Sequence, residues 1–424
     1  MINWRVEGTV VKKPFSRKYD EGNIEVVTKG DTHHMKPRNP KHKLLLGPGP
    51  SNPDPRVLRA MSEPTLGHLD PDFVAIMDET TELLRYVFGT ENELTIPISG
   101  TGSAGMETAL VNSLEPGDKA IICIAGVFGE RMADLAGRMD VEVIRVDAPW
   151  GKPVDPEDVR LAVKQHPDAK IVAIVHAETS TGVLQPLEEI AQLAHENGMR
   201  IVVDAVTSLG GMEVPVDRLG LDFVFSGTQK CLSCPPGLAP ITVGERALEF
   251  IRNRKTKCPS WYLDLSMISR YWGGERFYHH TAPINMIYAL NESLRIIKEE
   301  GLEARWARHK LNQKALIAGL EAMGMKLVVD PEYRLPSLTT VYFPEGIEDV
   351  PARMKLLNEF GIEIGAGLGD FKGRVWRIGL MGTNSTKPNV LFLLAALEDV
   401  LVSMGARVPQ GAGLQAASEV YRGA

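Results

Sequence analysis

The sequence predicts an α/β fold, with a large domain on a mostly parallel sheet and a smaller C-terminal α+β domain. Three observations carry that expectation. Between residues 94 and 225, short apolar runs alternate with amphipathic helical stretches, the βαβ order of a parallel sheet. The polar residues of that region gather just beyond the apolar runs, and open α/β sheets bind ligands at those strand ends. After about residue 300 the elements shorten, with strands near 326–329, 338–343 and 375–380 and helices near 351–360 and 389–401. The expected division is therefore an N-terminal extension over 1–41, a large domain over 42–300 and a small domain over 301–424.

The chain has 424 residues, 44% of them hydrophobic and 24% charged, which is ordinary globular composition and room for two or three structural units. A net charge of −7 argues against a nucleic-acid or membrane-surface partner. Four cysteines are few for a disulfide scaffold of this size and point to a reducing compartment. Cys231 and Cys234 have C-x-x-C spacing but no second pair, and Pro235-Pro236 follow them. They read as small side chains near a crowded site. The opening M-I-N-W-R-V-E-G lacks the apolar stretch of a secretory signal. No run approaches the ~20 apolar residues of a membrane span, and the terminal Y-R-G-A is not a peroxisomal address. The expected compartment is the cytoplasm.

In chain order, the polar residues 1–41 read either as an arm lying on a partner subunit or as a loosely ordered tail. L-L-L-G-P-G-P-S-N-P-D-P, from Leu44 to Pro55, alternates Gly and Pro into a stiff exposed loop. Such a loop either brings backbone close to a ligand or turns the chain into the domain. Residues 73–88 carry a helical apolar pattern. The strand L-T-I-P-I then runs into S-G-T-G-S-A-G-M-E-T, where glycines and hydroxyls open a helix. Exposed amides at such a helix start can cradle a phosphate, although a Gly-rich start can also serve packing. A-I-I-C-I-A leads to G-V-F-G-E-R and sets Phe128 at a strand's carboxyl end, to stack on a flat heterocycle or to join the core. Another strand, Lys170 to Val175, meets H-A-E-T-S-T-G. The helix Pro186–Glu196 follows, with an apolar stripe and Asn197-Gly198 at its end.

The stretch Arg200–Gly237 organises the rest. Asp204 stands immediately after the apolar run Ile201–Val203, and Lys230 stands a few residues after Phe223–Phe225. A carboxylate and an amine facing one crevice suit pyridoxal phosphate, which takes a lysine at its aldehyde and an acid at its pyridine nitrogen. Residues 255–283 lose periodicity and become aromatic, as site rims and interfaces do. His279-His280 lack further ligands, so no metal site is expected. Helices are expected over Asn285–Glu300 and from there to about Gly324. In V-W-R-I-G-L-M-G, strand alternation sets Arg377 opposite Trp376 and Ile378. A guanidinium in so apolar a strand calls for an anion, either a substrate carboxylate or a protein acid.

Together these residues resemble the class V branch of the fold-type I aminotransferases, in particular the alanine–glyoxylate (serine–pyruvate) type. The resemblance runs from Leu44 to about Leu401. It rests on G-P-G-P-S-N, S-G-T-G-S, L-E-P-G-D, S-T-G-V-L-Q-P-L, V-D-A-V-T-S-L-G-G, S-G-T-Q-K, P-P-G, Y-H-H-T-A-P and R-I-G-L-M-G. It implies that Lys230 is the Schiff-base lysine and Asp204 the partner of the pyridine nitrogen. It sets Thr179 near the cofactor's 3′-oxygen and Val206 under the ring. Thr101, Gly102, Ser103 and Gln229 fall at phosphate-binding positions, and Arg377 at the substrate carboxylate. Tyr278 and Thr281 match residues that reach the phosphate of a neighbouring subunit, which implies a homodimer with shared sites. Where animal members stack Trp on the ring this chain has Phe128, and where they have His after the Gly-Ser of the phosphate loop it has Ala104-Gly105 after Ser103.

The implied reaction is ping-pong transfer of an amino group from a small amino acid, alanine or serine, to glyoxylate or pyruvate. Other class V transaminases, acting on ureidoglycine, pyridoxamine or an aminophosphonate, stay open as alternatives. A cysteine desulfurase-like lyase would need a nucleophilic cysteine in the C-terminal domain, and none lies beyond Cys258. A dinucleotide-binding oxidoreductase has no use for Lys230 and Asp204 at adjacent strand ends, and a binding module without catalysis has none for so many convergent polar groups.

Overall fold

The computed structural model describes residues 40–424. The extension expected over 1–41 therefore lies, except for its last two residues, outside the described residues. The chain enters through β1 (Leu44–Leu45), a glycine- and proline-rich loop, α1 (Pro55–Met61) and α2 (Pro71–Phe88). There follow β2 (Leu94–Ser99), α3 (Gly102–Ser113), β3 (Lys119–Ile124), α4 (Val127–Gly137), β4 (Glu142–Asp147), α5 (Pro156–Gln165) and β5 (Ile171–Val175). A small hairpin, β6 (Ala177–Glu178) with β7 (Val183–Leu184), precedes α6 (Glu188–Glu196). Next come β8 (Arg200–Asp204), α7 (Val216–Leu219), β9 (Phe223–Phe225), β10 (Leu238–Val243), α8 (Glu245–Arg252) and α9 (Leu265–Trp272). The helices α10 (Ile284–Glu300) and α11 (Leu302–Ala322) lead to the last part of the chain. It holds β11 (Lys326–Leu327), β12 (Leu338–Tyr342), α12 (Asp349–Lys355), β13 (Ile362–Glu363), β14 (Gly365–Ala366), β15 (Val375–Gly379), α13 (Lys387–Ser403) and α14 (Ala412–Arg422).

Seven strands form the main sheet in the order β2-β10-β9-β8-β5-β3-β4. All its pairings are parallel except those of β10, which runs antiparallel to both neighbours. All five residues of β5 are buried, so this strand reads as a continuous apolar run, as sheets covered on both faces require. A second sheet, β11-β12-β15-β14, is antiparallel, and β1 pairs in parallel with β13. One apolar cluster runs from Val57 to Ile297 across the main sheet. Another joins Leu46 to residues between Ala315 and Ala417. No helix among the described residues is long and apolar enough to cross a membrane.

Local signals explain where the helices begin. Asp54, Asp70 and Asp155 each cap the first turn of a helix whose next residue is proline, with the carboxylate accepting from the amide two residues on. The stretch 255–283, expected to be aromatic loop, contains α9 and is corrected accordingly. Asp264 caps that helix, and Leu265, Ile268, Tyr271 and Trp272 form its buried face. With only two turns to display it, the helical spacing is submerged among flanking aromatic residues.

Candidate active site

Asp204 ends β8 and pairs in register with Phe225 at the end of β9, so the acid and the segment leading to Lys230 leave the sheet side by side. The Asp204 carboxyl is 2% exposed, and Oδ1 accepts from the Val206 amide at 2.8 Å. Burial lifts its pKa from 3.8 to about 7; Glu178 adds to the rise, while the Val206 N–H, Lys230 and Arg131 oppose it. Lys230 is also buried. Burial and then the Arg377 charge bring its amine down to about 8, against the pull of Cys231 and Asp204. Nζ donates to the Pro48 carbonyl of the glycine- and proline-rich loop. That loop is tied back to the lysine, because Ser51 Oγ donates to the Lys230 carbonyl at 2.8 Å and the Ser51 amide to the Gln229 carbonyl at 2.8 Å. Gly49 has φ +105°, and a Cβ there would stand 2.5 Å from Nζ, so the approach of backbone to amine depends on glycine.

The start of α3 lies against the same two strand ends. A Cβ on Gly102 would meet Val206 Cγ2 at 3.2 Å and Gly227 Cα at 3.6 Å. Thr101, the residue before the helix, makes no side-chain cap, and the first amides of α3 have no partner within the helix. Ser103 Oγ accepts from Arg131 Nη1 at 3.3 Å, and the buried Gln229 Oε1 has no partner among the described residues. Phe128, the second residue of α4, is half-buried with the Arg131 guanidinium 5.0 Å from its ring centroid.

Thr179 is buried in the β6–β7 turn, its hydroxyl 2.5 Å from that of Thr207. Its carbonyl accepts from Arg377 Nη1 at 3.0 Å, while Arg377 Nε donates to the Ala366 carbonyl at 2.7 Å. Burial lowers the Arg377 pKa to about 10, against the pull of Glu178. Its hydrogen bonds go to carbonyls, and among the described residues it forms no salt bridge, Glu178 acting on its charge only at a distance.

Tyr278 and Thr281 stand apart from this group. Both are exposed, with their hydroxyls 3.5 Å from each other and the Tyr278 ring 4.9 Å from that of His68. The Cys231 and Cys234 thiols are buried, and burial raises both pKa values. His279 and His280 join Nδ1 to Nδ1 at 2.8 Å, and their remaining nitrogens meet the Trp261 carbonyl and Ser99 Oγ. Sequence reasoning assigned nothing to Glu178, Arg131 or the Pro48 carbonyl, which meet Phe128, Ser103 and Lys230, nor to Ser180, which meets Glu178. The signal for Glu178 was an acid inside the neutral turn H-A-E-T-S-T-G.

Comparison with known proteins places the chain in a family. The family profile described as aminotransferase class-V matches residues 44–370. The chain is 43% identical over 400 residues to a (S)-ureidoglycine–glyoxylate transaminase of Bacillus subtilis, covering 90% of this chain and 96% of that one. It is 40% identical over 371 residues to an alanine–glyoxylate aminotransferase of Callithrix jacchus, covering 87% and 89%. The crystal structure of an alanine–glyoxylate aminotransferase from Nostoc sp. superposes with a TM-score of 0.85 at 50% identity, covering 87% of this chain and 97% of that one. The chain belongs to the class V aminotransferases, enzymes of fold-type I that work with pyridoxal phosphate.

Proposed function

We propose that this aminotransferase moves an amino group from alanine or serine to glyoxylate or pyruvate. The observation that carries the reading is the pair of neighbouring strand ends bearing Asp204 and Lys230, with Arg377 joined to the same centre through Thr179. Glyoxylate occurs in the names of both relatives above, which supports it as acceptor.

The residues fit pyridoxal phosphate. Asp204 is a buried acid with no cation bonded to it, and the Thr101 side chain caps none of the first amides of α3. When bound, the cofactor supplies an aldehyde that carries the amino group and a ring that draws electrons from the donor's Cα. Lys230 holds it through Nζ and, once displaced by the amino donor, takes the proton from the donor's Cα. An amine brought down to about 8 reaches its free-base form far more readily than an ordinary lysine. Asp204 keeps the proton on the pyridine nitrogen. Arg377 receives the donor's carboxylate and so orients the Cα–H bond. Phe128 and Val206 enclose the ring and exclude water, and Thr179 holds the oxygen beside the aldehyde. Thr101, Gly102, Ser103 and Gln229 hold the phosphate. Tyr278 and Thr281 reach the phosphate of a second subunit, making the enzyme a homodimer.

The 43% relative favours a second reading of the donor, (S)-ureidoglycine. Steady-state kinetics with alanine, serine and (S)-ureidoglycine, each against glyoxylate and pyruvate, separates the two. The highest kcat/KM is expected with alanine or serine and glyoxylate; a higher value with (S)-ureidoglycine reverses the donor assignment. Lys230→Ala is expected to abolish turnover while circular dichroism shows a retained fold. Wild-type turnover in that variant refutes the role of Lys230.

A further inference from the structure

One carboxylate beside the site has no part in the reaction just described. Glu178 is 1% exposed and burial raises its pKa, while four hydrogen-bond donors favour the carboxylate: the Ser180 hydroxyl and amide, then the Gly129 and Phe128 amides. Oε1 accepts from the Ser180 amide at 3.0 Å and the Ser180 hydroxyl at 2.5 Å. Oε2 accepts from the Phe128 amide at 3.2 Å and the Gly129 amide at 3.4 Å. Ser180 Oγ in turn accepts from the Val127 amide at 3.0 Å. The first three amides of α4, orphans by the geometry of any helix start, are thus capped from a different element. The helix's own N-cap residue, Gly126, has no side chain to do so. Nor does Gly126 leave room for one, since a Cβ there would fall 2.7 Å from Glu178 Cγ.

The clamp joins two walls of one site. On one side it holds the turn of α4 that carries Phe128. On the other it holds the hairpin that carries Thr179, itself fastened to Arg377 and Thr207. Resting on the assignment of Phe128 and Thr179 as cofactor contacts, we propose that Glu178 is a positioning residue whose carboxylate fixes the Phe128 ring and Thr179 against the cofactor. An anion suits the place because the amino end of α4 presents partial positive charge. An amide would not, since its NH2 would face either the Ser180 donors or the α4 amides.

Glu178→Gln keeps the shape and removes the charge, so it isolates the clamp. The purified apoprotein is titrated with pyridoxal phosphate by equilibrium dialysis, and visible circular dichroism is read per mole of bound cofactor. The variant is expected to fold, to bind the cofactor about tenfold or more weakly, as loss of a charged hydrogen bond implies, and to show a smaller visible ellipticity. Wild-type affinity and ellipticity overturn the proposal. Should Glu178→Gln fail to fold, Ser180→Ala keeps the carboxylate and its three amide donors and removes the hydroxyl's bond to Glu178 together with the relay to Val127. It is expected to lower affinity and ellipticity to a lesser degree, and wild-type values there overturn the proposal equally. In a Phe128→Ala background, Glu178→Gln is expected to change the ellipticity little, and a full additional loss refutes action through Phe128. A wild-type protein that binds no pyridoxal phosphate defeats the assignment of Phe128 and Thr179 instead.

Discussion

Arg377 uses Nε and Nη1 on two backbone carbonyls and bonds to no acid among the described residues, although Glu178 acts on its charge; the proposal gives it the donor's carboxylate. Arg377→Ala is expected to cut kcat/KM for the amino donor by about 10- to 150-fold, the worth of a charged hydrogen bond of about 1.5–3 kcal/mol. Arg377→Lys restores less than half of that on a free-energy scale, because an ammonium cannot reproduce the fork; a fully active Lys variant contradicts the role. Asp204 makes a prediction about pH. Its carboxyl in the cofactor-free fold titrates at about 7 against an ordinary 3.8, so across that window the folded chain holds a proton the unfolded chain has lost. Stability contributed by this group is therefore present at the acid end and falls as pH rises. Thermal melts of apoprotein should show Asp204→Asn gaining on wild type as pH rises through the window, and a constant gap contradicts the burial argument. Both residues were legible in the sequence because each is a polar group at or inside an apolar strand. Glu178 was passed over, because three of its four donors are amides, which no sequence displays.

At the scale of elements, the glycine- and proline-rich loop between β1 and α1 lies against Lys230, with the Pro48 carbonyl on its amine. Gly49→Ala sets a Cβ against the Lys230 amine and strains a backbone at φ +105°. The expected cost is about 1–3 kcal/mol, together with reduced loading of pyridoxal phosphate in a reconstitution titration. Unchanged loading means that the loop yields. The strands of the main sheet were legible wherever both faces are covered, as in β3, β5 and β8. β4 was missed because Glu142, Arg145 and Asp147 break its apolar run at the sheet's edge. The reversed direction of β10 was equally hidden, since its sequence L-A-P-I-T-V fits either orientation. The Asp-Pro pairs that start α1, α2 and α5 were present to be read, and only the apolar periodicity of α2 drew attention to one of them.

For the whole molecule, the aromatic residues of 255–283 bear on assembly. Trp261 is 60% exposed, Phe277 52% and Tyr278 51%, and the His68, His279 and His280 rings lie among them. Exposed aromatic residues fit the proposed contact with a second copy. On the proposal that Tyr278 and Thr281 complete the phosphate site of a second copy, inactive Lys230→Ala and weakened Tyr278→Ala subunits should regain activity when refolded together. Mixtures no more active than the sum of the separate variants contradict shared sites.

The pairing of β1 with β13, and the seat of Leu46 among the apolar residues of the C-terminal layer, carry a lesson for anyone dividing the gene. A piece beginning at residue 301, the boundary proposed from sequence, would leave behind a strand and a core side chain supplied by the opening of the chain. Its Ile362–Glu363 edge would be bare and ready to recruit strangers. Residues 44–46 and the C-terminal layer are stitched into one fabric, and the Lys230 amine hangs from the thread that runs on from them.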